Sequence, residues 1–180
     1  MVFSLIYLSR LRPTIPTDLN ELLEECRRQN EVQEITGLLI HHRGNVMQLL
    51  EGEEHTVRDL YARIAADSRH HELFVIWTNT ADHRRFPDWT MGFEDLGHET
   101  PQQNYTRRRN TALQRSLTSS GQLIQTLALV VHGHDPEVEG RSGHPGCLCC
   151  RECRTLTGEV TPFPCPPALE ALHQLEGSSR

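Results

Sequence analysis

Apolar and polar residues fall into blocks of two kinds over the first half of the chain. Residues 2–8, VFSLIYL, are an apolar, β-rich run of strand length. Pro13 and Pro16 break the chain after it. Thr17 has the character of a helix N-cap, with Asp18 and Glu21 acidic in the first turn. Leu19, Leu22, Leu23 and Cys26 follow at helical spacing, which predicts an amphipathic helix over about 17–29. ITGLLIHH (35–42) reads as a strand, RGN (43–45) as a tight turn, and VMQLLEG (46–52) as the returning arm of a hairpin. His55 or Thr56 opens a second helix with Val57, Leu60, Tyr61 and Ile64 on one face. ELFVIWTNT (72–80) is a further strand, and FPDWTMGF (86–93) adds an edge strand, where Pro87 is tolerated.

The order is β-α-β-β-α-β, with one more β at the end. Two helices of similar length cover one face of a four-stranded antiparallel sheet in such an order, so the expected class is α+β and ferredoxin-like. From residue 97 the character changes. HETPQQNYTRRRN is polar, and Leu113, Leu117, Leu123, Ile124, Leu127 and Val130 or Val131 predict one or two helices between about 105 and 132. Residues 133–146 read as a loop, and a short helix is expected over 167–176. The expected organisation is a domain over 1–96, a helical extension over 97–132, and a Cys/Pro-rich tail over 133–180.

Composition narrows the function classes. The chain has 180 residues, of which 37% are hydrophobic and 23% charged, enough for one core. No apolar run approaches the ~20 residues that cross a bilayer, and no basic-then-apolar leader opens the chain, so a cytoplasmic protein is expected. The net charge of -6 falls wholly on residues 1–96 and argues against nucleic acid as partner. All 18 basic residues are Arg, which is read as codon bias rather than function. Five of the six cysteines crowd into the tail, and in a reducing compartment these are thiols or metal ligands rather than disulfides.

The candidate chemistry lies in polar residues set into apolar strands. Tyr7 sits inside LIYLS and Gln48 inside VMQLL. A buried glutamine needs partners for its donors and its acceptor, and the plainest reading is a Tyr7–Gln48 pair across the sheet. Asn30, at the end of the first helix, adds a third neutral hydrogen-bonding group. Such a set suits a flat, polar-edged heterocycle. It does not suit hydrolysis, which needs a nucleophile and a base, and no Gly-rich phosphate loop is present, so an enzyme is not expected.

Residues 1–96 resemble the BLUF domain, the flavin-binding sensor of blue light. The stretches that carry the resemblance are LIYLS (5–9), RRQNEVQEITGLL (27–39), GNVMQLLEGE (44–53), VRDLYARIAADSRHH (57–71) and RRFPDWTMGF (84–93), in order and with short gaps. The resemblance implies roles by position. Tyr7 is the photoactive tyrosine, and Gln48 the glutamine bonded to it and to the flavin ring. Asn30 holds the pyrimidine edge. Ile35 and Ile64 sandwich the ring, Arg63 and Asp67 line the site, and Arg69 and His70 lie near its ribityl-phosphate end. Trp89 and Met91 relay the signal; two apart on an extended strand, they are expected on the same side. The implied cofactor is FAD, with FMN and riboflavin left open. The implied output is a protein partner or self-association, since residues 97–180 offer no room for a cyclase or phosphodiesterase domain.

Two positions depart from the family pattern: Cys26, where a small hydroxyl residue is common, and Gln29, where Asn or His is common. Cys26 is read as a small apolar filler rather than an adduct-forming thiol. His41, His42 and Arg107–Arg109 are read as solvated, and Trp77 as packing. In the tail, Cys147, Cys150, Cys153 and Cys165 are zinc candidates, with His132, His134 and His144 as alternatives to Cys147; an unstructured cysteine-rich tail stands beside that reading. The rivals to a photosensor are a light-independent zinc-binding or interaction module and a small enzyme on the same kind of sheet.

Overall fold

The computed structural model describes residues 1–12, 19–42, 44–95, 136–139, 147–150 and 164–177. The chain divides into two compact units, Met1–Arg115 and Ser116–Arg180. The first holds β1 (Val2–Leu11), α1 (Leu19–Val32), β2 (Thr36–His42), β3 (Asn45–Gly52), α2 (Glu54–Ala66), β4 (His70–Ala81) and β5 (Gly92–Asp95). The second holds β6 (Pro136–Glu139), β7 (Cys147–Cys150) and α3 (Pro166–Gly177).

The five strands of the first unit form one sheet in the order β4-β1-β3-β2-β5. β1 pairs antiparallel with β3 and β4, β2 pairs antiparallel with β3, and β5 lies parallel to β2. The first four strands are the ferredoxin-like order expected from the sequence, and β5 extends the sheet beyond β2. Central β1 and β3 are buried along most of their length on both faces. That is why they read as nearly continuous apolar runs rather than alternating ones.

One face packs under the helices. Phe3, Leu5 and Tyr7 of β1 and Leu50 of β3 join Leu23 of α1 and Val57 of α2, with Leu60, Tyr61 and Ile64 partly buried against them. Val57, Leu60, Tyr61 and Ile64 recur at helical spacing, so α2 turns a single stripe to the sheet. α2 rests on β1, β3 and β4, whereas α1 approaches no element as closely. Glu53 caps α2, its carboxylate accepting from the Thr56 backbone N–H at 2.9 Å. The helix therefore starts earlier than His55 or Thr56, because an acidic side chain at this position satisfies a free N–H as well as Ser or Thr does.

The structure revises two other expectations and bears out the short helix expected over 167–176. The 86–93 strand does not form. The Trp89 N–H bonds back to Phe86 O at 3.2 Å, making a turn around Pro87, and only Gly92–Asp95 is extended. Part of the expected 133–146 loop is strand β6, paired with β7 so that Val138 lies opposite Leu148. α3 spans Pro166–Gly177, with Cys165, Ala168 and Leu172 buried along one side. The expected cap Thr17 and the expected helices over 105–132 lie outside the described residues.

Two glycines are needed for different reasons. A Cβ on Gly37 would stand 2.0 Å from the Leu49 carbonyl oxygen, whereas Gly44 has open space but a φ of +83°. Gly37→Ala is expected to cost at least about 2 kcal/mol by forcing β2 from β3. Gly44→Ala should cost about 1 kcal/mol through backbone strain alone, and Gly44→Asn less. Urea unfolding of the three variants checks the ranking.

Candidate functional site

The register of the central strands builds the site. Tyr7 lies directly opposite Gln48, Gln48 opposite Leu39, and Leu39 beside Phe93, a single row across the helix-covered face. β4 shifts register between Ile6/Trp77 and Tyr7/Val75, a bulge at the very strand position that carries the tyrosine. Tyr7 is buried and donates its hydroxyl to Gln48 Oε1. Burial pushes the Tyr7 phenol far above its ordinary value, and nearby Cys26, Tyr61 and Asp67 push the same way. The phenol stays protonated and donates to the Gln48 oxygen, which leaves the amide nitrogen for the far side. Gln48 Nε2 then points the other way, to Met91 Sδ at 3.3 Å.

Asn30 closes the row from above. Its Nδ2 donates to Thr90 O at 2.7 Å, and Arg27, one helical turn earlier, donates from Nε to Met91 O at 3.0 Å. α1 therefore holds the 89–91 segment by its backbone, while Gln48 holds it by the Met91 side chain. Ile35 is fully buried beside this group, and Ile64 is partly buried in the same cluster.

A polar set follows the C-terminus of α2. Asp67 and Arg69 form a bidentate pair, and the Arg69 backbone N–H adds a bond to Asp67 Oδ1 at 2.9 Å. The Arg69 guanidinium holds the Asp67 carboxyl well down, at about 2. His70 begins β4, rather than ending a helix, and its Nδ1 meets Ser9 Oγ at 2.9 Å. Arg63 is exposed and donates to Gln33 Oε1 at 2.8 Å, so it ties α2 to the end of α1.

Trp89 and Met91 do not share a strand face, contrary to the extended-strand expectation, because both precede β5. Met91 is buried at Gln48. Trp89 is half-buried elsewhere, its ring 5.1 Å from that of Phe86. His41 is not free in solvent either, since its Nε2 accepts from the Gly44 N–H at 3.2 Å. Trp77 is buried under the Arg85 guanidinium, as packing. Burial raises the Cys26 thiol, which favours the protonated, unreactive form.

Two residues of the site were missed from sequence. Tyr61 lies with its ring 5.5 Å from that of Tyr7, and its place on the α2 stripe was the available signal. Glu51 is a carboxylate buried in β3, and a charged residue in MQLLEG carried the same signal as Gln48. The zinc candidates gain no support. Cys165 is buried, Cys153 lies outside the described residues, and among the described residues no three His, Cys, Asp or Glu stand close enough to hold a metal.

A planar heterocycle with polar edges fits what is present. Three neutral groups, the Tyr7 hydroxyl and the Gln48 and Asn30 amides, stand beside apolar Ile35 and Ile64. Asp67 and Arg69 add a charged pair just past the end of α2.

Known proteins are similar to this part of the chain in sequence and fold. Residues 2–92 match the family model described as "BLUF: Sensors of blue-light using FAD". Among curated proteins, the photoactivated adenylate cyclase subunit beta of Euglena gracilis is 36% identical over 90 residues, 49% of this chain and 10% of that protein. The blue light- and temperature-regulated antirepressor BluF of Escherichia coli K12 is 33% identical over 97 residues, 53% of this chain and 24% of that protein. The chain thus spans a quarter or less of the length of these two relatives. Among solved structures, the dark state of BlrB, a BLUF protein, superposes with a TM-score of 0.50 at 33% identity, covering 52% of this chain and 72% of that one.

Burial lowers the His70 imidazole below its ordinary value, outweighing the pull of Asp67. A histidine shifted down is neutral when folded, so its contribution is present above the unfolded value of about 6.5 and is lost as pH falls through the folded midpoint. NMR titration should place the His70 midpoint below that of a free histidine. Chemical unfolding between pH 7 and pH 5 should show a steeper loss of stability in the parent than in His70→Gln.

Proposed function

The chain belongs to the BLUF family, sensors of blue light that use FAD, and we propose that it signals through a light-driven change in the hydrogen bonds of Tyr7 and Gln48. The observation that carries this reading is the buried chain from the Tyr7 hydroxyl to the Gln48 amide to the Met91 sulfur. In the proposal Asn30 binds the ring edge, Ile35 and Ile64 flank its faces, Arg63 and Asp67 line the site, and Arg69 and His70 serve the ribityl-phosphate end. When bound, the flavin absorbs blue light and becomes an oxidant for a neighbouring phenol.

The work of the protein is then local. With a flavin bound as acceptor, Tyr7 would pass it an electron and the Oη proton and then take both back. While the proton is away, Gln48 Oε1 has no donor, and the amide is held only by the weak acceptor Met91 Sδ. Rotation or tautomerisation of the amide presents a donor to Tyr7 Oη and leaves the sulfur without one. No covalent bond need change, because an amide's two ends match in shape and differ in hydrogen-bond polarity.

Output follows from where Met91 is attached. Its release from Gln48 loosens the segment that Asn30 and Arg27 hold by its backbone, so Trp89 and Met91 relay the change to β5 and beyond. The relative named as an antirepressor supports a protein partner as the receiver, and a second copy of the chain is the other receiver we propose. We place the protein in the cytoplasm, and the protonated Cys26 thiol fits a reducing compartment.

Absorption spectra before and after blue light test the reading. The parent protein is expected to be yellow and to shift reversibly. Tyr7→Phe and Gln48→Leu should keep the flavin and lose the shift; a normal photocycle in Tyr7→Phe would sink the assignment.

Asn30→Ala removes a hydrogen bond to the ring edge, which costs about 1–3 kcal/mol, or roughly 5–150-fold in flavin affinity. Flavin titration into the stripped protein measures it. Hydrogen exchange in dark and light should change across 86–95 in the parent and not in Met91→Ala, while the absorption shift survives in both.

A further inference from the structure

β3 carries a buried carboxylate, Glu51, on the face opposite Gln48. Glu51 is fully buried, and it reaches the segment that leads to Trp89 and Met91. Its Oε2 accepts from two successive backbone N–H groups, Arg85 at 2.9 Å and Phe86 at 3.0 Å. Its Oε1 accepts from Ser4 Oγ at 3.2 Å and pairs with Arg85 Nη1 at 3.4 Å. Arg84 adds three bonds, to Glu34 O at 2.6 Å, Glu51 O at 2.7 Å and Thr36 Oγ1 at 3.0 Å. Residues 84–86 are therefore fixed to β3, to the start of β2 and to the turn after α1.

The contacts continue from Phe86. Its buried ring stacks at 32° on Trp89, and its carbonyl accepts from the Trp89 N–H. The Trp89 ring lies on Gly92 so closely that a Cβ there would stand 2.4 Å from Trp89 Cε3. With Trp89 seated between Phe86 and Gly92, the residue that faces Gln48 is Met91.

We propose that Glu51 is a positioning residue: by holding the Arg85 and Phe86 amides it seats Trp89 away from Gln48 and so selects Met91 as the partner of the switch. Stability alone is a poor account of such a group. A buried ion pair is often replaced by packed apolar residues at no loss, whereas two backbone N–H groups need an acceptor at one particular point. The consequence for signalling rests on the proposed role of Met91, but the placement does not, and it is tested in the dark.

Two paired variants of the full chain separate position from charge. Glu51→Gln with Arg85→Gln keeps an amide oxygen for the two N–H groups and removes both charges. Glu51→Leu with Arg85→Leu removes both charges and the acceptor. Each is made with Trp77→Phe, which leaves Trp89 as the sole tryptophan of the chain.

The Gln pair is expected to match the parent in exchange across 84–92 and in acrylamide quenching of Trp89. The Leu pair should exchange at least about fivefold faster there, the effect of losing about one net hydrogen bond, and should expose Trp89 to quencher. A Leu pair that behaves as the parent overturns the proposal, and so does a Gln pair that changes as much as the Leu pair.

If the Leu pair does not fold, the parent decides. The Arg85 and Phe86 amides should exchange as slowly as those of β3, and exchange as fast as that of exposed Asp88 overturns the proposal. Absence of any light-dependent change across 86–95 in the parent would instead remove the Met91 relay and leave the dark result standing.

Discussion

The hydrogen bond from Tyr7 to Gln48 lies between two strands buried on both faces, and that placement constrains everything around it. A phenol and an amide in such a position must satisfy one another, because no water reaches them and an unmade bond there costs about 1–3 kcal/mol. The β1–β3 register that sets them opposite is fixed by the apolar residues on either side. A slip of one position would turn Tyr7 to the other face and Ile6 to this one. The core thus holds the pair in register, and the pair in turn fixes which end of the Gln48 amide faces the 89–91 segment.

β3 is the spine of both halves of the arrangement. Its side chains alternate, so Gln48 and Glu51, three apart, face opposite sides. Gln48 reaches the end of the 84–91 segment at Met91, and Glu51 reaches its beginning at Arg85 and Phe86. The segment turns back on itself between these two anchors, around Pro87. At one end a buried carboxylate holds the backbone amides; at the other Asn30 and Arg27 hold the backbone carbonyls, and the Met91 side chain meets Gln48 through one amide-to-sulfur contact. A disturbance at Gln48 therefore acts on the Met91 side chain of a segment whose backbone is held at both ends.

Much of this was legible in the sequence. The β-α-β-β-α-β order followed from periodicity, since each strand was apolar enough and each helix amphipathic enough to show its period. Tyr7 and Gln48 stood out because each interrupts an apolar run. Glu51 interrupts the same run and escaped notice, because LLEG at a strand end reads as the start of a turn. The 86–93 strand was misjudged for a different reason. Its aromatic and apolar residues have strand character, but they serve a turn whose geometry is set by a carboxylate 35 residues earlier in the chain. Short-range pattern carries no information about such a contact, nor about the half-buried seat of Trp89, which depends on the missing side chain of Gly92.

The choice of sulfur at the far side of Gln48 has a physical consequence. A two-state amide needs one orientation favoured in the dark by a few kcal/mol, yet not so strongly that a brief loss of its partner fails to release it. The Tyr7 hydroxyl supplies the strong contact, since burial keeps it protonated and it has one direction in which to donate. Met91 supplies the weak one, since a thioether is a poor acceptor. Were Met91 replaced there by a carbonyl or carboxylate, the Nε2 end would be held as firmly as the Oε1 end, and loss of the Tyr7 proton alone would not free the amide. In the proposed switch the soft contact at Met91 and the buried phenol at Tyr7 are thus two requirements of one device, and the proposed anchor at Glu51 would keep the soft contact in place.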